Sequence, residues 1–314
     1  MSLTDPRIAI VGSGAVGCFY GGKLLNAGFD VNFLMRSDLN HVAQVGLRIE
    51  SKQGADLFFP LPSVYGDPKE IGPCDLVIIA LKATDNGAFN KLIAPLIREE
   101  TVLLTLQNGL GNEYSLAELF GDHRVMGGLC FVCLNRTSPG VIRHVAEGRV
   151  AVGEYSREVA SRTTHIRSLF QRAGIPCKES QCLMTERWRK LVWNIPFNGL
   201  SIVSGSSDTA SILADRTLCL RARELMREVI QIARICGYDL PMSMVDEQIA
   251  LTRGMGKYQP SSVIDYAKGN RVEVEAIWGN ALRAGLEAGA QVGLIEKLYQ
   301  EILDAVGGRD HESG

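Results

Sequence analysis

The stretch IAIVGSGAVGCFYGGKLLNAG, residues 8–28, decides the fold of the first half of the chain: an apolar run enters Gly12, Gly14 and Gly17, and a helical pattern follows. In a dinucleotide-binding βαβ unit the first glycine permits a tight turn, the second lets the backbone approach a pyrophosphate, and the third lets the helix pack against the sheet. The N-terminus of the helix offers N–H groups and a positive dipole end to that anion. The strand before and the helix after favour this interpretation over a glycine-rich turn in an unrelated α/β protein. The predicted pyrophosphate-binding residues are Gly12, Ser13, Gly14, Ala15, Val16 and Gly17.

Strands and helices alternate around this stretch. Strands are predicted at residues 7–12, 30–35, 75–83 and 101–109, and helices at 15–26, 85–96 and 112–120. Continuously apolar strands that alternate with helices indicate a parallel sheet covered on both faces. After Val125 we expect closely spaced strands, some of them antiparallel, to extend the sheet. These are residues 124–132, 140–146, 149–155 and 175–180, with a helix at 159–172 before the last.

From about Cys182 the pattern becomes helical. Helices are predicted at residues 184–193, 210–236, 242–251, 274–288 and 296–306. The sequence therefore predicts an α/β protein with an N-terminal Rossmann-type doubly wound sheet, residues 1–179, and an all-helical C-terminal domain, residues 180–314. A cleft between two such domains is the usual place for a small ligand. The apolar helix at 210–236 would serve either the core or a homodimer contact.

The composition excludes several classes of protein. The 314 residues carry 33 basic and 35 acidic side chains, and this net charge of -2 does not fit a nucleic-acid binder. No apolar run reaches the roughly 18 residues of a membrane helix. The first residues lack the apolar core of a secretory signal. We therefore expect a cytoplasmic protein with no nucleic-acid or membrane partner.

Cys130 and Cys133 form a C-x-x-C pair. Such a pair is redox-active, or half of a metal site, or part of a buried strand with its side chains on opposite faces. The sequence has no second C-x-x-C and no close pair of histidines to complete a zinc site. We predict a strand here and no metal.

The residues after the second predicted strand decide which dinucleotide binds. Enzymes that prefer NAD place an Asp or Glu there, roughly 20 residues on, to bond the ribose 2′-hydroxyl. This chain has Arg36, and an arginine suits a 2′-phosphate that a carboxylate would repel. Asp38 lies two residues further on and would weaken the preference. We predict NADP(H), against the alternative that Arg36 is a solvated surface residue.

Lys82 and Asn108 follow two neighbouring apolar strands. Ligands of open α/β sheets bind outside the carboxyl ends of the strands. A lysine there can meet a phosphate or a substrate carboxylate, and an asparagine can orient a carbonyl or an amide. Ordinary solvation is the alternative for both residues, and a pure turn role is a further alternative for Asn108, which is followed by glycines.

The segment ERWRKLVWNIPFNG, residues 186–199, is the most informative stretch of the second domain. Lys190, Asn194 and Asn198 recur at a spacing of four, which puts them on one face of a helix. A lysine and two amides among apolar residues suit a site that binds a polar substrate and donates a proton. The alternative is an exposed polar stripe. An interior proline kinks a helix, so Pro196 is expected to place Asn198 past a bend.

A second cluster, QPSSVIDYAKGNRVEVEAIWGN at residues 259–280, contains Ser261 and Glu273. The alternative for Glu273, at the start of a helical pattern, is that it only interacts favourably with the positive end of the helix dipole. This cluster follows GSGAVG, LKA around Lys82, QNGLG around Asn108 and ERWRKLVWN around Lys190. With these motifs, in this order and at these separations, the chain resembles the ketopantoate reductase family (2-dehydropantoate 2-reductase) from end to end.

The resemblance implies a two-domain enzyme that uses NADPH to reduce the 2-oxo group of ketopantoate to (R)-pantoate, on the way to pantothenate. It implies that Lys190 is the general acid and that Glu273 works with it. Arg36 and Lys82 match the cofactor-phosphate contacts of the family. Asn108 matches a residue that lies near the nicotinamide and the reacting carbonyl.

The resemblance also assigns the substrate contacts. Asn194 and Asn198 match residues that hold the substrate hydroxyl, and Ser261 matches the residue that binds the carboxylate. The chain departs from the family pattern here, since Gly199 stands where familiar members have proline and Asp208 where they have asparagine. Another 2-oxo acid is therefore an alternative substrate. A non-catalytic dinucleotide-sensing protein is the alternative from a different class.

Overall fold

The computed structural model describes residues 5–156, 159–206 and 208–310, which form two compact units. The first unit is the chain up to Asn108 together with Asn112–Leu183. The second is Gly109–Gly111 together with the chain from Met184 onward. Positions 1–4 and 311–314 of the predicted domains lie outside the described residues.

The first unit is a sheet with helices. Its strands are β1 (Arg7–Val11), β2 (Asp30–Leu34), β3 (Leu47–Ser51), β4 (Leu57–Phe59), β5 (Ser63–Tyr65), β6 (Leu76–Ile79), β7 (Val102–Thr105), β8 (Val125–Ser138), β9 (Val141–Glu154) and β10 (Cys177–Glu179). Its helices are α1 (Ala15–Asn26), α2 (Leu39–Val45), α3 (Pro68–Ile71), α4 (Phe89–Ile93), α5 (Asn112–Phe120) and α6 (Ser161–Arg172).

The strand order is β4-β3-β9-β8-β7-β6-β1-β2-β5, with β10 beside β9. Neighbours are parallel except β3 with β4 and β8 with β9. The chain runs outward from β1 in both directions, so the strand order reverses between β1 and β6. Ligands of open α/β sheets bind beyond the strand ends at such a point. The predicted doubly wound class, extended by some antiparallel pairing, is confirmed.

The central strands are buried on both faces. In β1, Ile8 and Ile10 belong to one apolar cluster, whereas Ala9 and Val11 belong to another. Successive side chains of a strand point to opposite faces, so a strand covered on both sides must be apolar at every position. This is why β1, β6 and β7 are continuous apolar runs in the sequence.

Parts of the first unit differ from the sequence prediction. Residues 36–71 carry α2, β3, β4, β5 and α3, none of which was predicted. The strand candidates at 140–146 and 149–155 form the single strand β9, with an irregular pairing near Glu147, whose φ is 64°. The predicted helix at 85–96 is α-helical only in the short α4, which 3₁₀ turns at Ala83–Ala88 and Ala94–Leu96 flank. Pro95 lies in the second of these turns, where it cannot donate a helical hydrogen bond.

The second unit is all-helical in its described part, as predicted. Its helices are α7 (Leu183–Val203), α8 (Thr209–Ala214), α9 (Arg216–Ile235), α10 (Met244–Met255), α11 (Ser261–Ala267), α12 (Asn280–Glu287) and α13 (Gly293–Asp310), with a π-helical turn, Glu275–Gly279, before α12. Leu225 and Val229 of α9 lie in the core, so this helix serves the core, and the homodimer contact stays a prediction. No helix among the described residues has the length and apolar character needed to cross a membrane.

Two helix predictions in this unit are corrected. The helix predicted at 184–193 is longer than expected, because α7 runs from Leu183 to Val203 with Pro196 inside it. Carbonyls beside the proline receive side-chain donors, from Trp278 Nε1 to Ile195 O at 3.0 Å and from Asn198 Nδ2 to Asn194 O at 3.1 Å. The predicted helix at 210–236 divides at Asp215, whose carboxylate caps α9.

Candidate active site

The three glycines of the loop after β1 differ in what surrounds them. Gly12 has a φ of 97°, and a Cβ there would overlap the backbone nitrogen of Leu81. A Cβ on Gly17 would overlap the carbonyl oxygen of Gly12 and lie 3.0 Å from Ile10 Cγ2. Gly14 is exposed, and no other described residue comes within 4 Å of its Cβ position. The fold requires Gly12 and Gly17, whereas Gly14 leaves the open space that a ligand phosphate needs.

The N-terminus of α1 can accept an anion. Gly14 is its N-cap and makes no side-chain hydrogen bond, and the first turn, all of it described, has no acidic residue. Ser13 Oγ donates to Leu34 O at 2.9 Å, so Ser13 offers a ligand its backbone N–H. The free N–H groups and the dipole of α1 fit the pyrophosphate of a dinucleotide.

Cys18 follows this loop on α1. Burial raises the pKa of its thiol to about 12, with a further increase from Asp38 and an opposing effect of Arg136. Its Sγ donates to Ser13 O at 3.2 Å. Since the thiolate is the reactive form, Cys18 is a packing residue at neutral pH.

Arg36 and Asp38 lie in the short segment between β2 and α2. Arg36 is exposed, and it forms no ion pair with another described residue. Asp38 is only 7% exposed. Its Oδ1 accepts from Arg136 Nη1 at 2.9 Å and from Ser37 Oγ at 2.8 Å, and its Oδ2 accepts from Gly140 N at 3.1 Å. The Asp38 carboxylate, which was expected to weaken a preference for NADP, is therefore already hydrogen-bonded to other residues of the protein.

Lys82 and Asn108 lie just past the carboxyl ends of β6 and β7. Lys82 is exposed, and Asn108 is half-buried. The three strands β1, β6 and β7 are parallel neighbours, so their carboxyl ends share one edge of the sheet. The first unit thus brings Gly12, Lys82 and Asn108 to the same edge, at the point where the strand order reverses.

A hydrogen-bonded chain of side chains supports Asn108, and sequence reasoning missed it. Thr105 Oγ1 donates to Gln107 Oε1 at 2.9 Å, and Gln107 Nε2 donates to Asn86 Oδ1 at 2.8 Å. Asn86 Nδ2 donates to Asn112 Oδ1 at 2.9 Å, and Asn112 Nδ2 donates to Asn108 O at 2.8 Å. The run of Thr, Gln and Asn side chains around QNGLGN was the available signal, but Asn86 is far from it in sequence.

The glycines after Asn108 form a turn that belongs to the second unit. Gly109 and Gly111 have φ values of 84° and 89°. Between them, Leu110 N donates to Ala276 O at 2.8 Å, and Leu110 O accepts from Asn280 Nδ2 at 2.7 Å. The turn is therefore the role of the two glycines and not of Asn108.

Helix α7 carries Lys190, Asn194 and Asn198 on one face. Lys190 is half-buried, but Asn194 and Asn198 are only 7% and 2% exposed, so the two amides are not an exposed stripe. Asn198 Oδ1 accepts from Ser262 N at 3.0 Å, which fixes the start of α11. A contact of Asn198 with a substrate hydroxyl stays a prediction.

Ser261 and Glu273 lie in the segments that pack against α7. Ser261 begins α11 and is exposed, whereas Ser262 is buried. Glu273 is 5% exposed, and the indole of Trp278, in the turn after it, donates to Ile195 O of α7. A buried carboxylate is costly unless it is paired or hydrogen-bonded, so Glu273 is not a solvated surface residue, and its role in a site stays a prediction.

Asp208, the departure from the family pattern, has a structural role. It is the N-cap of α8, and its Oδ1 accepts from Ser211 N at 2.9 Å and from Ser211 Oγ at 3.2 Å. The carboxylate therefore satisfies the start of a helix.

Cys130 and Cys133 lie in β8, and Cys130 is buried, as the strand interpretation predicts. Among the described residues there is no group of three or more His, Cys, Asp or Glu side chains that could hold a metal ion.

Comparison with known proteins gives the family. Residues 8–157 match the family described as ketopantoate reductase PanE/ApbA, and residues 182–305 match its C-terminal domain. A 2-dehydropantoate 2-reductase of Nostoc sp. is 39% identical over 305 residues, which cover 96% of this chain and 95% of that protein. The crystal structure of 2-dehydropantoate 2-reductase from Geobacter metallireducens has a TM-score of 0.93 and 40% identity, and the match covers 95% of this chain and 99% of that one.

A more distant structure shares the fold alone. It is D-mandelate dehydrogenase with NADH and anilino(oxo)acetate, with a TM-score of 0.87, 21% identity and coverage of 96% of this chain and 98% of that one. The two family matches and the full-length relatives together show that the chain belongs to the ketopantoate reductase family and is an oxidoreductase.

Proposed function

We propose that the protein reduces 2-dehydropantoate to (R)-pantoate with NADPH and that Lys190 is the general acid. Family membership and the names of the full-length relatives support the reaction. The observation that carries the proposal is the uninterrupted helix α7, in which Lys190 is followed on the same face by two buried amides. The exposed Arg36, beside an Asp38 already bound by Arg136, supports NADPH over NADH.

The chemistry requires a proton donor at the substrate oxygen. When bound, NADPH supplies the hydride that adds to the 2-oxo carbon. Negative charge then develops on the oxygen, and we assign the Lys190 ammonium to donate the proton that neutralises it. General acid catalysis contributes roughly 10²- to 10⁴-fold to a rate. Glu273 is assigned as the carboxylate that works with Lys190.

The remaining residues are assigned to bind and orient the cofactor and the substrate. The loop from Gly12 to Gly17 is assigned to the pyrophosphate, and Arg36 and Lys82 to the other cofactor phosphates. Asn108 is assigned to the carbonyl and the nicotinamide. Asn194 and Asn198 are assigned to the substrate hydroxyl, and Ser261 to the carboxylate.

The assignment of Lys190 is tested by Lys190→Met, with Lys91→Met as the control, because Lys91 is exposed on α4 of the other unit. We expect Lys190→Met to lower kcat/KM for ketopantoate by about 10²- to 10⁴-fold while the Kd for NADPH stays unchanged. Lys91→Met should leave both constants unchanged. A Lys190→Met enzyme with near wild-type turnover would refute the role of Lys190.

The substrate is tested by measuring kcat/KM for a panel of branched 2-oxo acids with NADPH and with NADH. Ketopantoate should rank first, with NADPH preferred. If another acid ranks far above it, the protein is a reductase of the same family with a different substrate. If dinucleotide binds but no acid is turned over, the protein is a non-catalytic sensor.

A further inference from the structure

Asp38 lies close to the position where an NAD-binding protein keeps its acidic residue, two residues after Arg36 and just before α2. It follows the third glycine of the loop by about 20 residues, the usual spacing for the carboxylate that bonds a ribose 2′-hydroxyl. From this position an available carboxylate would favour NADH and repel the 2′-phosphate of NADPH. The sequence near β2 therefore contains two opposite signals, Arg36 and Asp38.

The structure resolves the conflict through a residue that lies 98 positions away in sequence. Arg136, near the end of β8, binds Asp38 Oδ1 at 2.9 Å and Ser37 Oγ at 3.1 Å. With Gly140 N on Oδ2 and Ser37 Oγ on Oδ1, three donors occupy the carboxylate, which has about four acceptor sites. The Asp38 side chain is 10% exposed and that of Arg136 is 45% exposed.

The charges of Arg36, Asp38 and Arg136 together favour the binding of a phosphate. Arg136 compensates the charge of Asp38, so the positive charge of Arg36, for which the described residues provide no ion-pair partner, is left over. Both members of the Asp38–Arg136 pair act electrostatically on Cys18, in the second turn of α1. The glycine loop itself contacts Cys18 and the end of β2, because Cys18 Sγ donates to Ser13 O at 3.2 Å and Ser13 Oγ donates to Leu34 O at 2.9 Å.

We propose that Arg136 determines the cofactor preference by binding and neutralising Asp38, which leaves Arg36 free to bind the 2′-phosphate of NADPH. Arg136 is in this view a positioning residue that acts through Asp38. The proposal rests on the NADPH dependence proposed above, and it assigns the origin of that dependence to a strand outside the βαβ unit.

The test compares Kd values for NADPH and NADH, measured by calorimetry, in wild type, Arg136→Met, Asp38→Asn and the double variant. Arg136→Met leaves a charged, poorly compensated carboxylate, so NADPH should bind about tenfold more weakly and NADH no more than about twofold differently. Asp38→Asn should keep the preference for NADPH. The double variant should recover most of the lost NADPH affinity, because the repelling charge is gone. Arg143→Met, which breaks the exposed pair with Glu50, is the control and should change neither Kd.

Several outcomes would overturn the proposal. An equal loss for both cofactors in Arg136→Met would show a purely structural role, and no recovery in the double variant would show a direct contact of Arg136 with the phosphate. If Arg136→Met does not fold, Asp38→Asn decides, since a loss of NADPH preference there contradicts the proposal. A wild type without NADPH preference would refute the proposed cofactor as well, whereas a preference that survives Arg136→Met would refute only the role of Arg136.

Discussion

Gly14 and Gly17 lie three residues apart, but an added methyl group should have a different effect at each. At Gly14 we expect it to weaken cofactor binding, and at Gly17 we expect it to lower stability. At Gly17 the new Cβ would overlap the carbonyl oxygen of Gly12, so helix α1 could not pack against β1 as it does. At Gly14 the backbone has φ −80° and ψ −161°, which alanine tolerates, and the Cβ position is open. A methyl group there would occupy space that a bound pyrophosphate needs.

We therefore expect Gly14→Ala to weaken NADPH binding at least tenfold with a nearly unchanged Tm. Gly17→Ala should lower the free energy of unfolding by about 1–3 kcal/mol, because overpacking forces the backbone to move. Calorimetric Kd values and thermal unfolding of the two variants separate the effects. A Gly14→Ala protein that binds NADPH like wild type would mean that the phosphates do not approach this glycine.

At the residue scale, local features were predictable and distant ones were not. The role of Gly17 follows from spacing alone, because the Gly12 oxygen and the Ile10 side chain that it would meet belong to the same βαβ unit, whereas the crowding of Gly12 comes from the segment after β6. The state of Asp38 was not predictable, because its partner Arg136 comes from another strand. A single sequence contains no information on which arginine reaches which carboxylate.

At the element scale, packing overrode local propensity. An interior proline costs a helix about 3 kcal/mol, but Ile195, Phe197 and Leu200 around Pro196 are fully buried, and α7 continues. The three-residue strands β4 and β5 were missed because so few residues cannot show a period of two. Long apolar strands and the helices α1, α5 and α6 were predicted best, since their signals are repeated along the element.

A side chain from α9 fixes the start of α13. Glu228 is 8% exposed, and its two carboxylate oxygens accept from Leu294 N at 2.9 Å and from Ile295 N at 2.6 Å. These are first-turn N–H groups, which lack partners within their own helix. The carboxylate also interacts favourably with the positive end of the helix dipole.

Glu228→Ala should therefore destabilise the protein by about 1–3 kcal/mol, because a buried donor, Ile295 N, and a part-buried one, Leu294 N, lose their acceptor. Glu224→Ala, one turn earlier on α9 at an exposed residue, is the matched control and should change stability by less than about 0.5 kcal/mol. Urea unfolding of both variants measures the difference. Equal stability of the two variants would show that the contact at α13 contributes nothing to folding.

At the scale of the whole molecule, the two units do not correspond to two continuous halves of the chain. The sequence predicts one boundary, between residues 179 and 180, from the change to helical periodicity. In the structure the chain also leaves the first unit at Gly109 and re-enters it at Asn112. The sequence gives no signal for this change of unit, because a segment of three residues, two of them glycine, is too short to show a hydrophobic periodicity.

Variants of Leu106 and Leu110 can test whether Gly109–Gly111 belong to the second unit. The two leucines lie four residues apart and are 3% and 6% exposed, but Leu106 belongs to the apolar cluster of the sheet unit and Leu110 to that of the helical unit. Truncating a buried leucine to alanine typically costs about 2–5 kcal/mol. Leu106→Ala should therefore destabilise the sheet unit, whereas Leu110→Ala should destabilise the helical unit.

Native-state hydrogen exchange followed by mass spectrometry distinguishes the two effects, because local stability differs between parts of a protein. Leu110→Ala should accelerate exchange in the π-helical turn Glu275–Gly279 and in α12, whose residues bind the backbone of Leu110, and should leave β1 and β6 protected. Leu106→Ala should give the reverse pattern. If Leu110→Ala instead accelerates exchange only in the sheet, the loop belongs energetically to the first unit, and the division of the chain at Gly109 is wrong.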